Sequence, residues 1–153
     1  AREASPVFTT EKTPFRIGKA EVFRDGTDVA VIACGPLVHN ALLAAEELRK
    51  EEKLDVMVVN CHTVKPLDAK TVIAAAKACG AVVTVEEHQI AGGLGGAVAE
   101  CLAASHPTPM GFVGVKDRFG ESGPPKDLIE HFGMGVASIK DAVRAAHVRK
   151  NAV

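Results

Sequence analysis

Two carboxylates and an imidazole stand together at Glu86-Glu87-His88, directly after the apolar run Ala81 to Val85. A carboxylate beside a histidine at a strand end can do acid–base work where water is excluded. The plainer use is structural: one glutamate caps the next helix, or pairs with Lys or Arg across a subunit contact. After Gln89-Ile90-Ala91 comes Gly92-Gly93-Leu94-Gly95-Gly96, a glycine cluster between a strand and a helix, where backbone N–H groups can receive an anion. A dinucleotide fingerprint would set Gly93, Gly95 and a small residue at 98. Val98 stands there instead, and segment 86–91 separates the predicted strand from the glycines. No Gly-Lys-Ser/Thr follows, so this is not a Walker loop. The remaining reading gives the glycines a packing role, letting the helix start approach a neighbouring backbone.

Two further constellations have the right residue types. Lys116 and Arg118, near Ser122 and Gly123 in the loop DRFGESGPP, can hold a phosphate or carboxylate through charge-assisted bonds; the alternative is a solvated loop with a structural ion pair. His62 beside Cys61, with Cys34, His39 and His88 at the same predicted edge, supplies zinc-ligand chemistry without zinc-ligand spacing, and no metal is expected.

The elements that must position these residues follow from periodicity. KAEVF and DVAVIAC are strand-like runs joined by Arg24-Asp25-Gly26-Thr27, which reads as an antiparallel hairpin. Gly35-Pro36 stops the second run, and Leu37, Ala41, Ala45 and Leu48 then recur at helical spacing. The unit repeats: a strand Val56–Val59, the loop NCHTVKP, and a helix entered at Asp68 and closed by Gly80. A strand Ala81–Val85 is followed by a helical stripe of Leu94, Val98, Cys101 and Leu102, ended by His106-Pro107. A strand Gly111–Val115, a short helix Lys126–Phe132 stopped by Gly133, and a last helix capped by Ser138 complete the chain. In that last helix Ile139, Val143 and Ala146 form the core stripe, with Arg144, Arg149 and Lys150 solvated. Strands alternating with helices predict a largely parallel sheet covered on both faces, with functional groups at its carboxyl edge.

Composition narrows the class. The chain has 153 residues, a net charge of −1 and 47% hydrophobic residues, enough for one globular domain with its own core. Residues 1–16, with Pro6 and Pro14, read as a linker, and residues 17–153 as the domain. The chain begins at Ala1 without Met, which suggests processing or a piece of something longer. Near-neutral charge and the absence of Trp and Tyr argue against nucleic acid as a partner. The apolar runs are far short of the ~20 residues a membrane span needs, and no signal-peptide pattern is present. Cys34, Cys61, Cys79 and Cys101 lie far apart and read as reduced thiols, which fits a cytoplasmic setting.

Taken in order and spacing, GKAEVFRDGTDVAVIACG, HTVKPLD, VVTVEEHQIAGGLGGAVAE, FGESG and HFGMG resemble the C-terminal domain of transketolase-type thiamine diphosphate enzymes over residues 17–147. The resemblance implies an α/β fold of three layers, α/β/α, around a mixed five-stranded sheet with four parallel strands and one antiparallel. It implies an enzyme that transfers two-carbon ketol units between sugar phosphates, with this chain as its C-terminal domain or split subunit, inactive alone. The parent uses thiamine diphosphate and Mg²⁺, yet no Gly-Asp-Gly occurs here, and the carboxylate that drives the aminopyrimidine belongs to the preceding domain. Arg2 to Val7 look like that domain's tail. Hence no catalytic, cofactor-binding or metal residue carries over. What carries over is a structural or interface role for Glu86, His88, Gly92, Gly93, Gly95 and Gly96, with the N-terminal and pyrimidine-binding domains or subunit as partners, together with homodimer contacts. Two alternatives stand beside it: the matching domain of 1-deoxyxylulose-5-phosphate synthase or of a 2-oxoacid dehydrogenase β subunit, and a stand-alone regulatory module that binds a small anion.

Overall fold

In the computed structural model, which describes residues 6–152, the core is built on five strands: β1 (Glu21–Arg24), β2 (Val29–Ala33), β3 (Val56–Asn60), β4 (Val82–Gln89) and β5 (Met110–Val115). The sheet order is β1-β3-β2-β4-β5; β1 alone runs antiparallel and the other pairings are parallel. There are five helices, α1 (Leu37–Glu52), α2 (Ala69–Cys79), α3 (Leu94–Ser105), α4 (Pro125–His131) and α5 (Val136–Lys150); all but the short α4 cover the sheet. This is the expected three-layer α/β/α fold.

Strand alternation makes the two cores. Val29, Val31 and Ala33 of β2 point to the face covered by α1 and α5, while Ala30 and Ile32 point to the face covered by α2 and α3. A strand buried on both sides must be apolar throughout, which is why β2 reads Val-Ala-Val-Ile-Ala and is fully buried. No helix among the described residues is long and apolar enough to cross a membrane.

The hairpin expectation is overturned. β1 pairs with β3, not with β2. A two-residue hairpin turn would place Gly26 at positive φ, and it is not among the glycines that adopt one. Instead Gly26 is buried where the chain crosses β3: a Cβ there would overlap Met57 N and Val56 C. Thr27 N and Asp28 N both donate to the Asp55 carbonyl at 2.9 and 2.8 Å, and Asp28 Oδ2 accepts from Asp55 N at 2.7 Å. Arg24 holds the crossing from the other side through the Val56 carbonyl and the Asp55 carboxylate.

Other expectations change in detail. The strand predicted at Ala81–Val85 runs on to Gln89, so Glu86-Glu87-His88 lies within β4, and only Ile90 and Ala91 separate it from Gly92. Helix α5 starts at Val136, with Gly135, three residues before Ser138, as its N-cap and no side-chain cap bond. The cause is the tight link after α4: Gly133 at φ 68° ends that helix, and buried Met134 leaves no room for a longer loop. The charges of α5 also do more than face water. Lys140 bridges Glu47 and Glu51 at 2.9 and 2.7 Å, Arg144 binds Glu52 and Asp141, and Lys150 lies over Gly80 with its amine toward the Thr27 and Asp28 carbonyls.

Residues 1–5 lie outside the described residues, and with them most of the tail assigned to Arg2–Val7. From Pro6 to Ala20 the chain forms no regular element, yet its aromatics are engaged: Phe8 packs edge-on against Phe23 and stacks on His39, and Phe15 lies 4.5 Å from the His62 ring. Asp68 ties this segment to α2. Its carboxylate caps the helix through Thr71 N and Oγ1 and also accepts from Ala20 N at 3.1 Å. Burial alone would raise the Asp68 carboxyl, but the bonds from Ala20 and Thr71 outweigh it and hold the group below the usual aspartate value. A carboxyl depressed on folding contributes stability that is present above its unfolded pKa and is lost as pH falls through the folded one. Urea midpoints should therefore drop as the pH is taken below ~4, and Asp68→Asn should lower the neutral-pH midpoint while flattening that part of the profile. An unchanged acid profile in the variant would contradict the cap.

Candidate functional site

The expected site residues meet at the carboxyl edge of the sheet, where β4 leads into α3. Alternation along β4 turns Thr84 and Glu86 toward α3 and leaves Glu87 exposed. Glu86 is 2% exposed, and its two oxygens accept from Leu94 N and Gly95 N at 2.7 Å each. These are unpaired donors of the first turn of α3, so a buried carboxylate reaches from the sheet to fill the anion position at the helix start. The glycines fit around it. A Cβ at Gly93 would fall on the Glu86 carboxylate and the Gln89 carbonyl, and one at Gly95 would sit 3.0 Å from Phe112 and 3.1 Å from Thr84 Oγ1. Gly92 adopts φ 79°, and Gly96 has room. Thr84 Oγ1 is buried without a hydrogen-bond partner among the described residues.

Each Glu86 oxygen is bonded to a backbone amide and the side chain is shut off from solvent, so its role in this geometry is to fix α3 on the sheet. His88 lies beside it, Nδ1 3.9 Å from Glu86 Oε2, but its side chain is 65% exposed and Nδ1 donates to the Gln89 carbonyl at 2.9 Å. Gln89 went unremarked in the sequence. Its Nε2 donates to the Arg118 carbonyl and its Oε1 accepts from Asp117 N, both at 2.9 Å, so one carboxamide clamps the loop after β5. Only the paired donor and acceptor of an amide can do this, and Asp117, at φ 48°, needs such support.

Lys116 is exposed at the rim of an apolar groove of about 430 Å³ lined by Ile90, Gly96, Ala99, Phe112 and Val115. Arg118 is paired within the chain: Nη2 donates to Glu121 Oε1 at 2.7 Å, and the guanidinium lies 4.6 Å above the Phe132 ring. The bonds from His131 and Arg118 hold the Glu121 carboxyl below the usual glutamate range. Cys34 and Cys61 follow the register pair Ala33 and Asn60 at adjacent strand ends. Burial pushes both thiols up to about 11, as it does Cys79, so they are protonated and weakly nucleophilic at neutral pH. All four cysteines are free.

Residues 18–139 match the family model described as transketolase, C-terminal domain. The chain belongs to this family. It is 47% identical over 138 residues to the 6-deoxy-6-sulfo-D-fructose transketolase subunit SqwH of Clostridium sp. strain MSTE9, covering 90% of this chain and 42% of that protein. It is 41% identical to a 1-deoxy-D-xylulose-5-phosphate synthase of Synechococcus sp., over 86% of this chain and 20% of that one. Among solved structures, a split gene transketolase described as an inactive β4 tetramer superposes with a TM-score of 0.93 at 38% identity, covering 97% of this chain and 48% of that one. The chain thus spans less than half the length of these relatives.

Transketolase family membership raises the question of a diphosphate coenzyme with its divalent ion. Among the described residues no three His, Cys, Asp or Glu side chains converge to hold a metal ion, and the glycine-rich helix start presents a buried carboxylate to any incoming phosphate. The residues present do not fit that group.

Proposed function

We propose that this chain is the C-terminal domain or subunit of a transketolase-type transferase, non-catalytic by itself, that completes an enzyme moving two-carbon ketol units between sugar phosphates. The observation that carries this reading is the superposition over nearly the whole chain on a split transketolase subunit. In it, the parent enzyme's thiamine diphosphate and Mg²⁺ are held by partner domains or a partner subunit, residues 1–16 link to them and residues 17–153 form the unit that docks, in a cytoplasmic dimer of pentose phosphate metabolism. Glu86, His88, Gly92, Gly93, Gly95 and Gly96 then act as structural and contact residues at the carboxyl edge. An anion at Lys116 and Arg118 would have to displace Glu121 from the guanidinium.

The test is reconstitution. The chain alone, with coenzyme and Mg²⁺, should give no turnover, and mixing with an N-terminal transketolase subunit should give ketol transfer from xylulose 5-phosphate to ribose 5-phosphate. Turnover by the isolated chain overturns the proposal. The synthase relative favours a second reading, which pyruvate-dependent turnover in the same mixture would select. Because the exposed His88 ring contributes little to the core, His88→Ala should shift sedimentation toward smaller species while leaving the urea midpoint in place. Identical sedimentation of parent and variant would remove His88 from the interface.

A further inference from the structure

Three polar atoms from the loop after β5 and the end of α4 meet at one point: Arg118 Nη2, Glu121 Oε1 and His131 Nε2. The distances are 2.7 Å from Arg118 to Glu121, 2.8 Å from Arg118 to His131 and 3.0 Å from His131 to Glu121. All three bonds cannot exist in one protonation state. Nε2 of a neutral imidazole accepts from Arg118 only when it carries no hydrogen, and it donates to Glu121 only when it does. A neutral ring protonated on Nδ1 leaves Arg118 bonded to both Glu121 and His131. An imidazolium donates to Glu121, whose oxygen can accept from Arg118 as well, but sets an N–H against the Arg118 N–H at 2.8 Å, a donor–donor contact that must open.

We propose that the loop of residues 116–124 is a proton-operated latch, in which protonation of His131 engages Glu121 and displaces the Arg118 side chain from the imidazole. Arg118 is also the residue whose carbonyl Gln89 clamps, and it precedes Phe119, whose side chain is 96% exposed. The displacement therefore takes place beside an exposed aromatic at the carboxyl edge of the sheet. The charged groups that reach the His131 ring are Arg118 and Glu121 from the loop. On its own helix, Asp127 lies one turn back, Lys126 precedes it, and Glu130 turns its carboxylate to Gly135 at the start of α5. Phe132 packs edge-on against the imidazole at 5.2 Å and under the guanidinium, so the same ring supports both arrangements.

The experiment is a ¹H–¹⁵N titration of the full chain across roughly pH 5 to 8, the histidine range, followed at the His131 ring, the Arg118 side chain and the Phe119 and Gly120 amides. The latch requires the loop amides and the Arg118 signal to shift along one curve whose midpoint equals that of the His131 ring. In His131→Gln the loop shifts should vanish. In Glu121→Gln the ring should still titrate while the loop shifts fall at least several-fold. Loop signals that stay flat while the ring titrates overturn the proposal, as does a loop titration that persists unchanged in His131→Gln.

Discussion

Replacing Glu86 by alanine should cost about 3 kcal/mol or more, a large part of the stability of a domain this size. Each of its bonds, to Leu94 N and Gly95 N, is charge-assisted, short and buried. A hydrogen bond to a charged group contributes about 1.5–3 kcal/mol, and here two are lost together while two helix N–H groups are left without acceptors. The cavity left between β4 and α3 adds to the loss. Glu86→Gln separates charge from shape: it keeps one acceptor but turns an NH₂ toward the other amide, and about 2 kcal/mol should still go. Urea unfolding with unchanged m-value is the measurement. A loss below ~1 kcal/mol in the alanine variant would mean that water replaces the carboxylate, and that the helix start is open to an external anion after all.

That outcome bears on function because a phosphate and Glu86 cannot both occupy the same two amides. A helix N-terminus draws anions through its orphan N–H groups and dipole, and here the fold satisfies both from within. The glycines serve the same end: Gly93 and Gly95 give the carboxylate the space their side chains would take. The carboxyl edge of this sheet is therefore shaped for fixing its own loops and for contact, with the apolar groove beside Phe112 and the clamped loop at Asp117 and Arg118 forming its accessible part.

The helices were legible where local chemistry decides them. Asp68 before α2 and Gly80 after it are a cap and a left-handed stop that no tertiary contact alters, and the unbroken apolar run of β2 announces burial on both faces. What distance in sequence decides was not legible. Ending the strand at Val85 hid the fact that Thr84 and Glu86 share a face and that Glu86 alone of the two glutamates points inward. The requirement of α3 for an acceptor is tertiary, and it draws Glu86 inward. Gln89 was silent for the same reason, since its partners lie 28 and 29 residues away. Ser138 read as a cap because serine favours that place, but the start of α5 is set by buried Met134 and by Gly135 before it.

Gly26 gives the sharpest test of the corrected topology. Read as a hairpin turn, Asp25-Gly26 would tolerate Gly26→Ala at a cost of about 1 kcal/mol, the penalty of placing a Cβ at positive φ. In the crossing observed, the new methyl would collide with Met57 N and Val56 C, main-chain atoms of the strand that pairs with both β1 and β2. Backbone of an interior strand cannot yield without breaking the bonds from Thr27, Asp28 and Arg24 that gather at Asp55 and Val56. The expected loss is about 3 kcal/mol, at the upper end of the overpacking range, with failure to accumulate as folded protein for Gly26→Val. Gly135→Ala is the matched control. Its methyl would also meet atoms too close, but those are the carboxylate of Glu130, the free end of a side chain that can swing into solvent, and the loss should stay below ~1 kcal/mol. Equal midpoints for Gly26→Ala and Gly135→Ala would return the first two strands to a hairpin. A large gap between them places β3 between those strands, where the register of Val56 to Asn60 puts it.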